Sequence, residues 1–166
     1  PTRRSSDLSE CGFSVVEIAD GVKEIGENAF LRNSTLNSVK IGKSVTTIGR
    51  QAFSECPALT SVTLGENLKF IKTSAFERCT VLSDIILPSS LQVIDSRAFH
   101  STALVSVSVP SSVVNIGEHA FEWIDALKEI KEICRQYRSL QVCRSGESES
   151  RHHAPIRSGT DVVIPI

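Results

Sequence analysis

The chain has 166 residues, 40% of them apolar, a net charge of −1 and a pI near 6.5. That length and apolar share specify one folded domain rather than a disordered chain, and the near-neutral balance excludes a general affinity for nucleic acid or anionic membrane. Aromatic residues at 5% are too few for a base-stacking platform, and no apolar run reaches the roughly 18 residues that a membrane helix needs.

In chain order, residues 1–12 read as artefact or disorder. Pro1-Thr2-Arg3-Arg4-Ser5-Ser6-Asp7-Leu8 looks like a translated sequencing adapter, and the sequence holds no methionine, so the natural N-terminus is expected to lie elsewhere. Register begins near Phe13. From there Ala-Phe recurs at 29–30, 52–53, 75–76, 98–99 and 120–121, at spacings of 23, 23, 23 and 22 residues. Other apolar columns keep step: Leu36, Leu59, Leu82, Leu104 and Leu127, then Val39, Val62, Ile85, Val107 and Ile130. Ile41, Leu64, Leu87 and Val109 form another, and Val-x-x-Ile pairs run from Val22 and Ile25 to Val113 and Ile116. The unit is L-x-x-V-x-I-x-x-x-V-x-x-I-x-x-x-A-F-x-x-C-x-x, with five copies at 13–35, 36–58, 59–81, 82–103 and 104–126.

Each unit has one physical reading. Val-x-Ile alternates with period two, the pattern of a strand with one face inward. Gly42, Gly65, Pro88 and Pro110 follow these strands and end them. Val-x-x-Ile is too short for a lone helix and is expected to be a turn or 3₁₀ piece on the outer side. Ala-Phe-x-x-Cys then returns the chain, with Phe filling the interior. One unit cannot bury this set alone, whereas stacked units can, with strands about 4.8 Å apart in a parallel sheet. The fold class is therefore an α/β-type curved solenoid, with a parallel β-sheet on one face and turn, 3₁₀ or short helical segments on the other.

Domain organisation follows: the solenoid occupies 13–127, and 128–166 is a degenerate repeat or capping helix followed by a flexible tail. Ile130, Ile133, Cys134, Tyr137 and Leu140 fit a helical period, 144–160 has linker composition, and Val162-Val163-Ile164-Pro165 resembles Val107-Ser108-Val109-Pro110.

Candidate binding residues lie where strands face outward. One column is Glu17, Lys40, Thr63, Ile86 and Ser108. Its neighbour is Val15, Ser38, Ser61, Asp84 and Ser106, and the two columns run on to Lys131 and Glu129 respectively. The partner-binding set is Ser38, Lys40, Ser61, Thr63, Asp84, Ile86, Ser106 and Ser108, a mostly small and polar face suited to a protein or glycan. The alternatives are a structural spacer without a dedicated ligand, or a repeat region whose protein's activity lies in other sequence. No phosphate loop, nucleophile elbow or metalloprotease helix occurs, so no enzyme activity, catalytic residue or cofactor is expected. Cys56 and Cys79 occupy equivalent sites in adjacent units and read as buried free thiols, with a disulfide between stacked units as the alternative. Cys134, Cys143, His152 and His153 match no zinc spacing, and His100 and His119 read as solvated. The chain is expected to be monomeric, with self-association at uncapped ends.

The recurring I-G-x-x-A-F-x-x-C-x-x-L string, closest at Ile48-Gly49-Arg50-Gln51-Ala52-Phe53-Ser54-Glu55-Cys56-Pro57-Ala58-Leu59, resembles the BspA-like leucine-rich repeats. The resemblance covers about 13–131. It implies a curved solenoid used for adhesion or protein binding, on a cell surface or secreted, with the cytoplasm as the alternative. Asn33, Thr102 and Ile124 stand where that family's cysteine is usual.

Overall fold

Apolar–polar alternation puts the first strand, β1 (Val15–Ile18), against β3 (Ser38–Ile41) and β3 against β5 (Ser61–Thr63), all parallel. Val16 pairs with Val39 and Val39 with Val62, so every inward side chain meets its counterpart one unit on. This is sheet 1. The structure is a computed structural model that describes residues 14–124. The artefact reading of 1–12 and the helix, repeat and tail expected over 128–166 lie outside the described residues.

A second sheet runs along the Val-x-x-Ile segments. Its two-residue strands are β2 (Glu24–Ile25), β4 (Thr47–Ile48), β6 (Phe70–Ile71), β7 (Val93–Ile94) and β8 (Asn115–Ile116), in parallel order β2-β4-β6-β7-β8. The expected turn is present, as the bond from Val45 N–H to Gly42 O at 3.2 Å shows. Its second half is not 3₁₀, however, and no helix occurs among the described residues. A 3₁₀ piece would spend its N–H groups within the segment. Stacking offers partners in the neighbouring coil instead, and Thr46 N–H bonds Lys23 O at 2.8 Å while Lys69 N–H bonds Thr46 O at 2.9 Å.

The Ala-Phe turn carries a third ladder, running in the opposite sense. Asn28, Phe30 and Arg32 donate N–H to Arg50, Ala52 and Ser54 of the following coil at 2.7–2.9 Å, and the pattern repeats to Ser101 and Glu122. Two residues per coil take left-handed backbone to aim these groups: Asn28 and Arg32, Gln51 and Glu55, Ser74 and Arg78, Arg97 and Ser101, His119 and Trp123, at φ of 52–60°. A left-handed L-residue costs about 1–2 kcal/mol relative to right-handed backbone, and glycine avoids that cost. Gln51→Gly is therefore expected to raise stability by up to about 1 kcal/mol in urea unfolding, after its own entropy cost is set against the relief. Gln51→Ala should give no such gain. A stability loss in Gln51→Gly would contradict the conformational argument.

The core sits between the three ladders. Phe53, Phe76, Phe99 and Phe121 are fully buried, with Leu36, Ile48, Leu59, Leu68, Ile71, Leu82, Leu91 and Ile94 around them. The rings of Phe30, Phe53, Phe76, Phe99 and Phe121 stack with centroids 5.1–5.4 Å apart and planes within 9°. Alanine beside each Phe is equally buried and leaves room for the next backbone.

Candidate functional site: the outer face of sheet 1

Strand pairing brings the two outward columns into line. Val15, Ser38 and Ser61 are partners across sheet 1, as are Glu17, Lys40 and Thr63. Ser38 is half-buried, while Lys40, Ser61, Thr63, Asp84, Ser106 and Ser108 are exposed and Ile86 is 80% exposed. Lys40 is not a free charge. Its Nζ lies 2.7 Å from Glu17 Oε1, and that hydrogen bond, followed by the carboxylate's charge, raises its pKa above the usual lysine value. Both side chains are about two-thirds exposed, so this pair adds little stability. Asp84 has no ion pair among the described residues.

Sheet 1 was expected to continue through all five coils, and it does not. The fourth and fifth coils have no strand over 84–87 or 106–109. Among the described residues no backbone hydrogen bond crosses from 61–64 to 84–87, or from 84–87 to 106–109. Only Ala103 N–H to Leu82 O and Val105 N–H to Ser83 O, both 3.1 Å, tie the last two coils near this face. The second sheet and the Phe ladder stay closed at the same level. The coils therefore part on one side only.

The cause lies at the residue that follows Val39–Ile41 and its equivalents in each coil. Gly42 and Gly65 stand where consecutive coils touch: a Cβ on Gly65 would lie 2.4 Å from Gly42 O, and one on Gly42 would lie 2.6 Å from Ile18 O. No side chain fits that approach. In the next two coils the position is Pro88 and Pro110, each with a ring and without an N–H. Pro88 cannot seat against Gly65 as Gly65 seats against Gly42, so coil four stands off. Two clefts result. One of about 480 Å³ lies between Ser61–Leu64 and Asp84–Ile86. The other, of about 430 Å³, lies between Asp84–Leu87 and Ser106–Ser108.

Two polar groupings lie away from this face. His100 and His119, expected to be solvated, are half-buried. Glu77, His100 and Glu122 each follow an Ala-Phe, so stacking aligns them. The His100 ring lies 3.7 Å from Glu77 and 3.6 Å from Glu122, and His119 Nδ1 lies 2.8 Å from Glu122. Position relative to Ala-Phe was the signal, and the strand columns alone do not show it. Burial lowers the His100 pKa below the usual 6.5, against the opposing pull of Glu77 and Glu122. The unfolded chain thus takes up the proton more readily than the fold does. Stability should fall as the pH drops through about 6.5 and level off below the folded value. Urea unfolding at pH 8 and pH 5 should show a smaller loss in His100→Gln than in the parent, and equal losses would remove His100 as the cause.

Cys56 and Cys79 are free and buried, and their thiols donate to Phe30 O at 3.1 Å and Phe53 O at 3.2 Å. Burial pushes the Cys56 pKa to about 11 and raises that of Cys79 as well, which disfavours the thiolate form. Where cysteine is replaced, Thr102 Oγ1 donates to Phe99 O at 2.9 Å, and Asn33 Oδ1 accepts from Leu36 N–H at 3.0 Å. The thiols thus cap a carbonyl of the preceding coil, whereas Thr102 and Asn33 cap backbone groups within their own turn. Among the described residues no His, Cys, Asp and Glu grouping is arranged to hold a metal ion. The two cysteines and two histidines beyond 124 lie outside the described residues.

Coils of 22–23 residues, parallel ladders and a stacked apolar interior define a leucine-rich repeat solenoid. The family model described as the BspA type leucine rich repeat region matches residues 4–128 in six copies, and the chain belongs to that family. Solved structures agree. A leucine-rich repeat protein from Bacteroides ovatus shares 26% identity at a TM-score of 0.63, over 71% of this chain and 36% of its own. The T. pallidum leucine rich repeat protein shares 35% at 0.63, over 69% of this chain and 56% of its own. A leucine-rich repeat protein from Eubacterium ventriosum shares 25% at 0.60, over 69% and 30%. The chain therefore spans between about a third and just over half of these proteins' lengths. No match was found among curated proteins.

Proposed function

We propose that the chain is a non-catalytic interaction module that binds a protein or glycan partner through the outer face of sheet 1 and the aligned outward residues Asp84, Ile86, Ser106 and Ser108. One observation carries this reading: Ser38, Lys40, Ser61 and Thr63 are held in register across parallel strands whose inward neighbours are buried. A rigid, periodic polar face lets a partner bind without the module having to order itself first. Adhesion at a cell surface, or in secreted form, fits such a face. No helix among the described residues is long and apolar enough to cross a membrane.

The test compares the full-length protein with its Lys40→Ala, Thr63→Ala, Asp84→Ala triple variant. Immobilised on beads, the parent should retain a specific protein from a surface extract, or a specific glycan from an array. The variant should lose that ligand with its thermal unfolding unchanged. Retention by both overturns the assignment of the face, and retention by neither favours a spacer. Labelling of the protein on intact source cells by a membrane-impermeant biotin reagent checks the location.

A further inference from the structure

We infer that the cleft between Ser61–Leu64 and Asp84–Ile86 accepts an extended, basic peptide segment of a partner protein, held by its backbone as an added strand. This deepens the reading above and rests on it.

Three observations point to a strand rather than to a side chain or a sugar. The rims are two chain segments with the in–out alternation of strands on one face of a parallel array, and among the described residues no backbone hydrogen bond joins one rim to the other. Such edges bind another chain by continuing the ladder. Donors and acceptors that recur along both rims match an extended peptide, whose own N–H and C=O groups alternate to either side. A sugar has no such repeat. Next, the opening is confined to this face, because the second sheet and the aromatic stack remain closed behind it. The rims are thus anchored on a packed core instead of being free loops. Finally, the lining carries Glu66 and Asp84 and no cationic side chain. Lysine or arginine on the incoming segment supplies the missing charge. Ile86, 80% exposed beside the cleft, offers an apolar contact to a neighbouring residue of that segment.

Pro88 keeps the site open. It stands where Gly65 allows the preceding coil to close, so glycine there should let coil four pair with β5 and fill the gap from within.

The experiment uses the full chain, ¹⁵N-labelled, and the blocked probe acetyl-Lys-Val-Thr-Val-Lys-Val-amide, with a second probe N-methylated at alternate residues. The first probe should shift amide signals within 61–64 and 84–87, and the N-methylated one should bind about tenfold more weakly or worse, since several backbone bonds are removed at once. Pro88→Gly should protect amides within 84–87 from exchange without any probe, and should abolish binding. Asp84→Asn should weaken binding several-fold at low salt. Equal binding of both probes overturns the inference, as do shifts elsewhere, undiminished binding by a folded Pro88→Gly protein, or no binding at millimolar probe. A glycan binding here while peptides do not also overturns it. Should Pro88→Gly fail to fold, the pair of probes decides alone. If the probe fails while the triple alanine variant still loses its natural ligand, strand docking is wrong and the face reading stands. If that variant keeps its ligand, the face reading fails.

Discussion

Phe76→Ala is expected to lower the free energy of unfolding by about 3–5 kcal/mol, the usual loss for a fully buried phenylalanine. Phe76 has no exposed surface and lies between two rings, 5.3 Å from Phe53 and 5.4 Å from Phe99. Its removal leaves a cavity in mid-stack and deletes both ring contacts, each worth about 0.5–1.5 kcal/mol beyond area burial. A domain of this kind is stable by about 5–15 kcal/mol in total, so one truncation consumes a large part of that margin. Urea unfolding followed by circular dichroism measures it. Phe76→Leu keeps most of the volume and should lose less than half as much. Phe30 has one ring neighbour and slight exposure, so Phe30→Ala should cost less than Phe76→Ala. A loss below about 1 kcal/mol in Phe76→Ala would mean that the stack does not hold the coils together.

Gly65→Ala is expected to be the most damaging small substitution on the sheet 1 side. Its Cβ would sit 2.4 Å from Gly42 O and 3.1 Å from Gly42 C, both backbone atoms that no rotamer change can move. Coil three must lift from coil two, at a cost of about 1–3 kcal/mol for overpacking of this kind. Hydrogen exchange gives the sharper readout. Amides of β5 that pair with β3 should lose protection, while those of β6 and the Ala-Phe turns keep theirs. Loss of protection throughout would point to global loosening instead, and unchanged β5 exchange would remove the wedge argument for the standoff at Pro88.

The sequence showed the repeat, the aromatic stack and the alignment of Ser38 with Ser61 and of Lys40 with Thr63, because these depend on one fixed spacing and a two-residue alternation. Other features have no such signature. β4 and β6 are two residues long, too short for any periodicity to announce a strand. The left-handed positions are filled by Gln51, Glu55, Ser74 and Arg78 rather than glycine, so composition hides them. Gly42, Gly65, Pro88 and Pro110 were readable as strand terminators. The second difference between glycine and proline, whether the next coil can close, becomes visible only when the coils are set side by side. Glu77, His100 and Glu122 were likewise in register in the sequence, but which registers are half-buried is a property of the packed coil.

Among the described residues every ladder joins positions about one unit apart, from Ser112 and Leu91 at 21 positions to Cys79 and Phe53 at 26. A longer version of the same coil would contain no loop larger than these. The chain entropy lost in closing each turn would stay constant however many turns were added. Assembly can then start at any adjacent pair and grow in both directions like a zip, at a speed set by one unit and not by total length. Whole units can be gained or lost in a single genetic step with every partner restored, whereas one stray residue inside a strand would misalign all that touches it.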